Sequence, residues 1–364
     1  MSEQDPVLAR LVDQVNSARS RQAPLDIRGG GSKLFYGEPP LGDALDVTGL
    51  SGLTSYEPTE LVVTVRAGTL LHELEAALAA HGQCLAFEPP RFAPGGTVGG
   101  MVAAGLSGPA RASLGSVRDH LLGVTLLNGR GEILTFGGQV AKNVAGYDVS
   151  RLIAGSLGIL GVICEVSLKV LPVSTATATL RFDCDAGEAF AKLRAWASQP
   201  LPTNATAWHE GRLHVRLAGA QAAVADASNR LGGARLEPDQ ADSWWTSVRD
   251  QSAEFFVQGA AGLARGESLW RLSVPATCAA LELPGPQFIE WGGAQRWWKT
   301  TAPAAQVRSA AARVGGHATL HRGADKSSGV FAPLNDVTMR IHRALKLAFD
   351  PLRIFNRGRL YAGL

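Results

Sequence analysis

The most informative stretch of the chain is R-G-G-G-S-K at Arg28–Lys33, which follows the short apolar run Pro24–Ile27. Three consecutive glycines carry no Cβ, so the backbone N–H groups of a tight turn stay open to a ligand. Successive N–H groups in such a turn form a concave nest for an anion, and Arg28, Ser32 and Lys33 add charge and a hydroxyl at its edges. The stretch therefore predicts a phosphate or pyrophosphate site, with an ordinary glycine-rich surface turn as the alternative.

The two common nucleotide-binding motifs do not match this stretch. The loop of P-loop NTPases ends in Lys-Ser/Thr, and a Rossmann domain needs a helix directly after its G-x-G-x-x-G turn. Here Leu34–Pro40 contains one glycine and two prolines, which break any helix. The predicted phosphate site therefore belongs to another fold. Two more glycine-rich segments follow, at Pro94–Gly108 and Gly155–Val162.

Composition excludes several classes of protein. The chain has 364 residues, more than one typical domain, and 46% of them are hydrophobic, which supports a full core. The net charge of +3 is close to balance, so a dedicated nucleic-acid binder is not expected. Cys84, Cys164, Cys184 and Cys278 form no C-x-x-C pair, which predicts reduced thiols in a cytoplasmic protein and no metal site. Residues 1–23 lack the apolar core of a signal peptide, and no transmembrane segment is predicted.

The first half of the chain predicts a dense mixture of strands and helices. Strands are predicted at 61–65, 121–127, 132–136 and 162–171, and helices at 70–80 and 147–154. Asn128–Gly131 has the composition of a hairpin turn between the second and third of these strands. Pro172 is predicted to close this unit.

The second half predicts a different pattern of elements. Strands at 175–182 and 213–217 alternate with helices at 187–198 and 220–231, which indicates a small sheet covered by helices. Two pairs of adjacent tryptophans occur here, Trp244–Trp245 and Trp297–Trp298. We expect these tryptophans to be core residues. Because neighbouring side chains of a strand point to opposite faces, contact of one of each pair with a partner is the alternative. The last segment, Pro333–Leu364, predicts a helix at 337–349 and a tail.

These motifs, in this order, resemble the flavin segments of the vanillyl-alcohol-oxidase-type (PCMH-type) FAD-binding fold. The matching segments are R-G-G-G-S-K at Arg28–Lys33, P-G-G-T-V-G-G-M-V-A-A-G at Pro94–Gly105, G-S-V-R-D at Gly115–Asp119, K-N-V-A-G-Y-D-V-S-R-L at Lys142–Leu152 and G-S-L-G-I-L-G-V-I at Gly155–Ile163. The resemblance implies an α+β protein. A PCMH-type FAD-binding domain of two α/β subdomains would occupy 1–172, and a smaller α+β cap domain with an antiparallel sheet would occupy 173–332. A C-terminal helix and tail at 333–364 would pack back toward the FAD domain.

The second half is similar to one branch of this fold, the FAD-binding E-type subunits of bacterial glycolate oxidase (glycolate dehydrogenase). The similarity rests on W-G-G-A-Q-R-W-W-K at Trp291–Lys299, G-G-H-A-T at Gly315–Thr319 and F-D-P-L-R-I-F-N-R-G-R-L-Y at Phe349–Tyr361. There are two departures. Tails of the family usually read N-P-G-R, whereas Arg357 stands in place of the proline. The larger D-type subunits carry a His/Glu-rich metal or substrate site, which this sequence lacks.

The resemblance implies an oxidoreductase subunit that oxidises glycolate to glyoxylate in a complex. Its partners would be a catalytic D-type FAD subunit and an iron–sulfur F-type subunit. It would work in the cytoplasm, with any attachment to the inner membrane made through the complex. Two alternatives stay open: a self-sufficient FAD-dependent 2-hydroxy-acid dehydrogenase, and a structural subunit with a vestigial flavin site. A compact cluster of Arg, His and Tyr over the flavin would favour the first alternative, and colourless purified protein the second.

The resemblance also assigns cofactor-binding residues. Gly29–Ser32 would hold the pyrophosphate, Gly95–Gly100 would pass close to the ribityl chain and flavin ring, and Gly161–Val162 would contact the adenine end. Arg118–Asp119 would order the loop below the flavin or form a structural ion pair. No histidine or cysteine lies within these loops, and His72 is expected on the core side of its helix, so the FAD is predicted to be non-covalent. The full predicted set is Arg28, Gly29, Gly30, Gly31, Ser32, Lys33, Pro94, Gly95, Gly96, Thr97, Gly99, Gly100, Ser116, Arg118, Asp119, Gly161 and Val162.

Catalysis requires further groups. Oxidation of a 2-hydroxy acid needs a cation for the carboxylate and a base for the hydroxyl proton, besides the flavin. His317 and His321 are four residues apart, but the two glycines before them favour a turn or strand, so we do not expect them to share a metal. Candidates for the cation and the base are Arg322, Lys326, Asn356 and Arg359.

Overall fold

The structure is a computed structural model that describes residues 5–138, 148–257, 262, 265–278 and 280–364. Residues 142–147 of the predicted flavin segment Lys142–Leu152, and Tyr147 of the predicted helix at 147–154, lie outside the described residues. Among the described residues, no helix combines the length and the apolar character that a membrane span requires.

A small parallel ribbon at the start of the chain carries the first glycine-rich loop. Helix α1 (Pro6–Arg21) is capped by the side chain of Asp5 and packs on strands β1 (Leu25–Arg28) and β2 (Asp43–Asp46). The two strands pair in parallel. Gly29 follows the last residue of β1, so the glycine-rich loop begins at the end of a strand that lies in an apolar core.

A five-stranded antiparallel sheet forms the centre of the first half. Its strands and the short ribbon beside it are β3 (Leu53–Glu57), β4 (Val62–Arg66), β5 (Gln83–Cys84), β6 (Leu121–Leu127), β7 (Ile133–Gly137), β8 (Val162–Lys169) and β9 (Leu171–Pro172). The order in the sheet is β3-β4-β8-β6-β7, and β5 pairs with β9. The helices are α2 (Leu71–Ala79), α3 (Val98–Ala104), α4 (Arg111–Leu114), α5 (Val117–His120) and α6 (Val149–Ile153). Side chains of β6 and β8 enter two apolar clusters, one with α2 and α3 and one with α1.

Most predicted elements of this half are confirmed within one or two residues. The strands at 61–65, 121–127 and 132–136 are β4, β6 and β7, and the helix at 70–80 is α2. The strand predicted at 162–171 is divided, because β9 leaves the sheet to pair with β5. The expectation for His72 is wrong: its side chain is exposed, because Leu71, Leu74 and Leu78 form the buried stripe of α2.

An eight-stranded antiparallel sheet fills the second half. Its strands are β10 (Ala176–Asp183), β11 (Thr203–His209), β12 (Arg212–Gly219), β13 (Ala234–Arg235), β14 (Ser268–Ser273), β15 (Gln287–Glu290), β16 (Gln295–Thr300) and β17 (His317–Arg322). Their order is β13-β10-β12-β11-β15-β16-β14-β17. The helices are α7 (Ala186–Ala197), α8 (Gln221–Leu231), α9 (Pro238–Arg249) and α10 (Ala304–Arg313). The sheet is therefore larger than the small one that the sequence predicted.

Both tryptophans of the β16 pair are buried, which confirms that they are core residues and rejects the alternative that one of them faces a partner. Trp297 belongs to an apolar cluster with Trp245 of α9, and Trp298 belongs to another with Val307 of α10. Helices cover both faces of the sheet here, so side chains that alternate along the strand are buried on either side. The other pair lies on a helix, where Trp245 is buried and Trp244 is half-buried.

The end of the chain contacts the first half. Helix α11 (Asp336–Phe349) contains the fully buried Lys346, whose Nζ donates to the carbonyl oxygens of Ile159 and Phe355, each at 2.7 Å. The same ammonium pairs with the carboxylate of Asp350 at 2.9 Å. Phe355 also forms a parallel bridge with Leu25 of β1. The tail therefore lies beside the strand that carries the glycine-rich loop.

Candidate functional site

The first glycine-rich loop borders a cleft with a cavity volume of about 110 Å³. The cleft lies between the end of β1, the helix α3 and the C-terminal tail. Of the predicted cofactor-binding residues, those that line it are Arg28, Gly29, Gly30, Gly31, Ser32, Lys33, Thr97, Gly99, Gly100 and Gly161. Asn356 and Arg359, predicted as catalytic candidates, line the same cleft.

Five consecutive backbone N–H groups at this cleft have no hydrogen-bond partner among the described residues. They belong to Gly29, Gly30, Gly31, Ser32 and Lys33. Gly31 has φ of +70°, a conformation that glycine adopts without strain. Gly30 and Gly31 are exposed and the other three residues are half-buried, so these donors are accessible to a ligand from solvent. An uninterrupted run of such donors in a turn fits an anion that accepts several hydrogen bonds at once.

The charges around the cleft favour the same kind of ligand. Its lining contains the cations Arg28, Lys33 and Arg359 against one carboxylate, Asp26. Asp26 is buried and accepts from Arg28 Nε at 2.5 Å. Burial lowers the pKa of Lys33 to about 8, against an opposing effect of Asp250, so its amine is mostly charged at neutral pH. The two surplus positive charges match the dianionic pyrophosphate of a dinucleotide.

The second glycine-rich loop packs directly on the first. A Cβ at Gly30 would lie 1.4 Å from the carbonyl oxygen of Gly95, and a Cβ at Gly29 would lie 2.3 Å from Oγ1 of Thr97. Thr97 also caps α3, because its Oγ1 accepts from the N–H of Gly100 at 3.2 Å. The absence of side chains at these glycines is thus what allows the two loops to meet at the cleft.

Several predicted cofactor residues do not border the cleft in the part of the chain that the structure describes. They are Pro94, Gly95, Gly96, Ser116, Arg118, Asp119 and Val162. Asp119 forms a capping box at α5: its Oδ2 accepts from the N–H of Ser116 at 2.8 Å, which lowers the pKa of the carboxyl. Asp119 therefore has a structural role as the cap of α5, and its predicted contact with the flavin stays a prediction.

Three of the four catalytic candidates hold the loop Leu34–Glu38, which follows the glycine-rich stretch. The guanidinium of Arg322 lies 3.7 Å from the centre of the Phe35 ring. Lys326 Nζ donates to the carbonyl oxygens of Phe35 at 2.8 Å and Gly37 at 2.7 Å. Arg359 donates to the carbonyl oxygens of Leu34 and Glu38. These cations fix the loop, and a catalytic role for them stays a prediction.

The fourth candidate, Asn356, joins two walls of the cleft. Its Oδ1 accepts from the N–H of Ile27 at 2.7 Å, and its Nδ2 donates to the carbonyl oxygen of Leu157 at 2.6 Å. Both ends of the amide are therefore engaged. Its contacts are those of a residue that positions β1 against the third glycine-rich segment.

A cluster of polar side chains between the large sheet and the first half was not singled out from the sequence. A guanidinium nitrogen of Arg271 donates to the hydroxyl of Tyr36 at 3.5 Å, and the ring of His321 lies 5.6 Å from that of Tyr36. His321 is fully buried. Its Nε2 is 2.8 Å from Oε1 of Gln251, whereas its Nδ1 has no partner among the described residues. Burial lowers the pKa of His321 well below its usual value.

A buried carboxyl completes this cluster. Glu290 accepts hydrogen bonds from Trp297 Nε1 at 2.5 Å and Gln295 Nε2 at 3.0 Å, and burial raises its pKa to about 7. The small cavity that Glu290 and Arg271 border has a volume of about 10 Å³. No local pattern could have revealed the cluster, because its members come from five separate segments. Within the described ranges, no group of three or more His, Cys, Asp or Glu side chains could hold a metal ion.

The fold and the cleft define a class of protein, the FAD-dependent oxidoreductases with the vanillyl-alcohol-oxidase-type fold. The family described as "FAD binding domain" matches residues 8–137. A solved structure of alkyldihydroxyacetonephosphate synthase has a TM-score of 0.67 at 15% identity, covering 96% of this chain and 74% of that chain, and supports the fold alone.

Similar proteins of known name identify the family within this class. Glycolate oxidase subunit GlcE of Escherichia coli (strain K12) is 45% identical over 354 residues, 97% of this chain and 97% of that protein. Glycolate oxidase subunit GlcD of Bacillus subtilis (strain 168) is 29% identical over 184 residues, 48% of this chain and 39% of that protein. The chain belongs to the family of glycolate oxidase GlcE subunits. The predicted family, fold class and FAD cofactor are confirmed, and the chain is an FAD-dependent oxidoreductase subunit; the non-covalent attachment of the FAD stays a prediction.

Proposed function

We propose that this chain is the FAD-binding subunit of a complex that oxidises glycolate to glyoxylate and passes the electrons to an iron–sulfur subunit. A D-type FAD subunit would be its other partner. The observation that carries the proposal is the run of five free backbone N–H groups on a cationic cleft, in a chain that is similar over its whole length to a glycolate oxidase subunit. The complex would lie in the cytoplasm, and any attachment to the inner membrane would be made by its partners.

The residues of the cleft fit FAD in a simple division of roles. The N–H groups of Gly29–Lys33 would donate to the pyrophosphate, and Arg28 and Lys33 would balance its charge. Asn356 and Arg359 would keep the tail and the loop Leu34–Glu38 closed around the cleft. Bound FAD supplies an acceptor for the two electrons that leave the substrate alcohol.

The cysteines of this chain are the reason for proposing that a partner protein carries the next electron acceptor. The four cysteines are widely spaced and free, and burial raises the pKa of Cys164 to about 12, which keeps its thiol protonated. A ligand set for an iron–sulfur cluster needs several thiolates that converge on one centre. Electrons collected by this subunit would therefore continue to a protein that supplies such a centre.

One observation favours the second candidate, a self-sufficient 2-hydroxy-acid dehydrogenase. Arg271, Tyr36 and His321 form a compact cluster with a cation, a hydroxyl and a neutral histidine whose Nδ1 is free among the described residues. Such groups could hold a carboxylate and accept a hydroxyl proton. However, the adjoining cavity of about 10 Å³ has room for about one water molecule, so the cluster is closed to glycolate in this conformation.

Anaerobic addition of glycolate separates the candidates. The purified chain, loaded with FAD, should show little or no bleaching of its flavin absorbance, and bleaching should appear when the D-type subunit is added. Sustained turnover should require the iron–sulfur subunit as well. Reduction by the isolated chain at the usual enzymatic rates of about 1–10³ s⁻¹ would reject the subunit proposal and favour the dehydrogenase. A chain that binds no FAD would favour a structural subunit with a vestigial site.

A further inference from the structure

The outward face of α11 carries an unusual concentration of exposed apolar side chains. Val337, Ile341 and Leu347 are 57%, 55% and 56% exposed. Leu352, just after the helix, is 41% exposed. Twelve large hydrophobic residues are exposed among the described residues, and four of them fall within 337–352. Single exposed apolar residues need no explanation, but a contiguous group of them indicates an interaction site.

The helix geometry places this group away from the core. Val337, Ile341, Ala344 and Ala348 follow the spacing of a single helical stripe. Lys346, the one fully buried residue of the described helix, comes nine residues after Val337, about two and a half turns, and so lies on the opposite side. The helix is therefore held by Lys346 while its apolar stripe faces outward.

The charges beside the stripe indicate what covers it. Arg340 and Arg343 on the helix, and Arg353 after it, are exposed and have no ion-pair partner in the part of the chain that the structure describes. Arginine is enriched in protein interfaces, and a complementary partner must present carboxylates at these positions. A second copy of this chain is disfavoured, because two copies meeting through α11 would bring these arginines together.

The surface is also close to the candidate flavin site. On its inner side, Lys346 bonds the carbonyl oxygens of Ile159 and Phe355. These residues adjoin Gly158 and Asn356, which line the cleft. A helix with its side chains is about 10–12 Å across, so a protein on the outer side of α11 would lie about one helix diameter from the cleft wall.

We infer that the α11 surface, defined as Val337, Ile341, Leu347, Leu352, Arg340 and Arg343, docks another subunit of the oxidase in an apolar groove with an acidic rim. The inference rests on the proposed function, which supplies the partner. Amphipathic helices bind in such grooves through apolar residues at helical spacing. Val337 and Ile341, four residues apart on α11, have this spacing.

The test is co-purification of the full chain, tagged and co-expressed with the other subunits of its oxidase. Two double variants probe the surface: Val337→Glu with Ile341→Glu, and Arg340→Glu with Arg343→Glu. The matched control is Val173→Glu with Val257→Glu, since these valines are 55% and 57% exposed elsewhere. Each α11 variant should recover at least about tenfold less partner per tagged chain than wild type, as loss of central interface contacts does. The FAD content of each variant purified without its partners, and the assembly of the control, should be unchanged.

The possible results separate the inference from the proposed function. Recovery of partner at the wild-type level by both α11 variants would overturn the docking surface and leave the subunit assignment intact. A wild-type chain that recovers no partner would overturn both. A homodimer that only the α11 variants dissociate, with the complex unaffected, would assign the surface to a second copy and overturn the inference. If the variant with Val337→Glu and Ile341→Glu lost its FAD, the variant with Arg340→Glu and Arg343→Glu, which keeps the apolar side chains of α11, would decide.

Discussion

Replacement of Gly30 by alanine tests whether the two glycine-rich loops hold FAD together. An added Cβ would lie 1.4 Å from the carbonyl oxygen of Gly95, whereas real Cβ contacts are essentially never shorter than 3.0 Å. The loops must therefore separate by at least 1.6 Å, the difference between these distances. Overpacking of this kind costs about 1–3 kcal/mol. Because FAD needs both loops at the cleft while the free loops can move apart, the cost should fall on the bound state.

The expected result is FAD affinity about 5- to 150-fold weaker in Gly30→Ala, at about 1.4 kcal/mol for each factor of ten. The dissociation constant is measured by titrating the apoprotein with FAD and following the quenching of flavin fluorescence. The midpoint of thermal unfolding of the apoprotein should stay close to wild type. Gly138→Ala is the matched control, since a Cβ there meets no atom of the described residues within 4 Å and its φ lies outside the left-handed region. Equal FAD affinity in Gly30→Ala, Gly138→Ala and wild type would show that contact between the two loops is not needed to hold FAD.

Two further predictions concern charged side chains. Only the protonated amine of Lys33 balances the pyrophosphate, and its pKa is about 8. The FAD affinity should therefore be nearly full below about pH 7, about half at pH 8 and about tenfold weaker at pH 9, and Lys33→Arg should largely remove this dependence. Equal pH profiles in the two proteins would contradict the placement of Lys33 at the pyrophosphate. Lys346→Met leaves the buried carboxylate of Asp350 without its cation and should lower the free energy of unfolding, measured in urea, by about 3–5 kcal/mol. Lys169→Met, at an exposed position, is the control and should change the free energy of unfolding little. A loss under about 1 kcal/mol in Lys346→Met would show that the fold does not need the ion pair.

The sequence predicted local elements of the first half well. The helix α2 and the strands β4 and β6 follow clear local patterns, and the glycine-rich loop combines a motif with a recognisable fold. The strands β14–β17 escaped prediction because helices cover both faces of their sheet. Burial on both faces removes the alternation by which a strand is recognised, as the adjacent buried residues Trp297 and Trp298 show.

The candidate site was predictable only where one segment supplies it. The five free N–H groups of Gly29–Lys33 come from five consecutive residues. The cluster of Tyr36, Arg271 and His321 depends on contacts between residues more than 200 positions apart, so no spacing along the chain could indicate it. The roles of Asn356 and Arg359 could not be assigned from sequence for the same reason, since their partners lie at the other end of the chain.

The most direct test of the central claim is the flavin content of the purified chain before and after acid precipitation. The purified protein should be yellow with about one FAD per chain, and the flavin should appear in the supernatant because no histidine or cysteine lies in the three glycine-rich loops. A colourless protein that binds no added FAD would contradict the cleft as a flavin site. Flavin that stays with the pellet would contradict its non-covalent attachment.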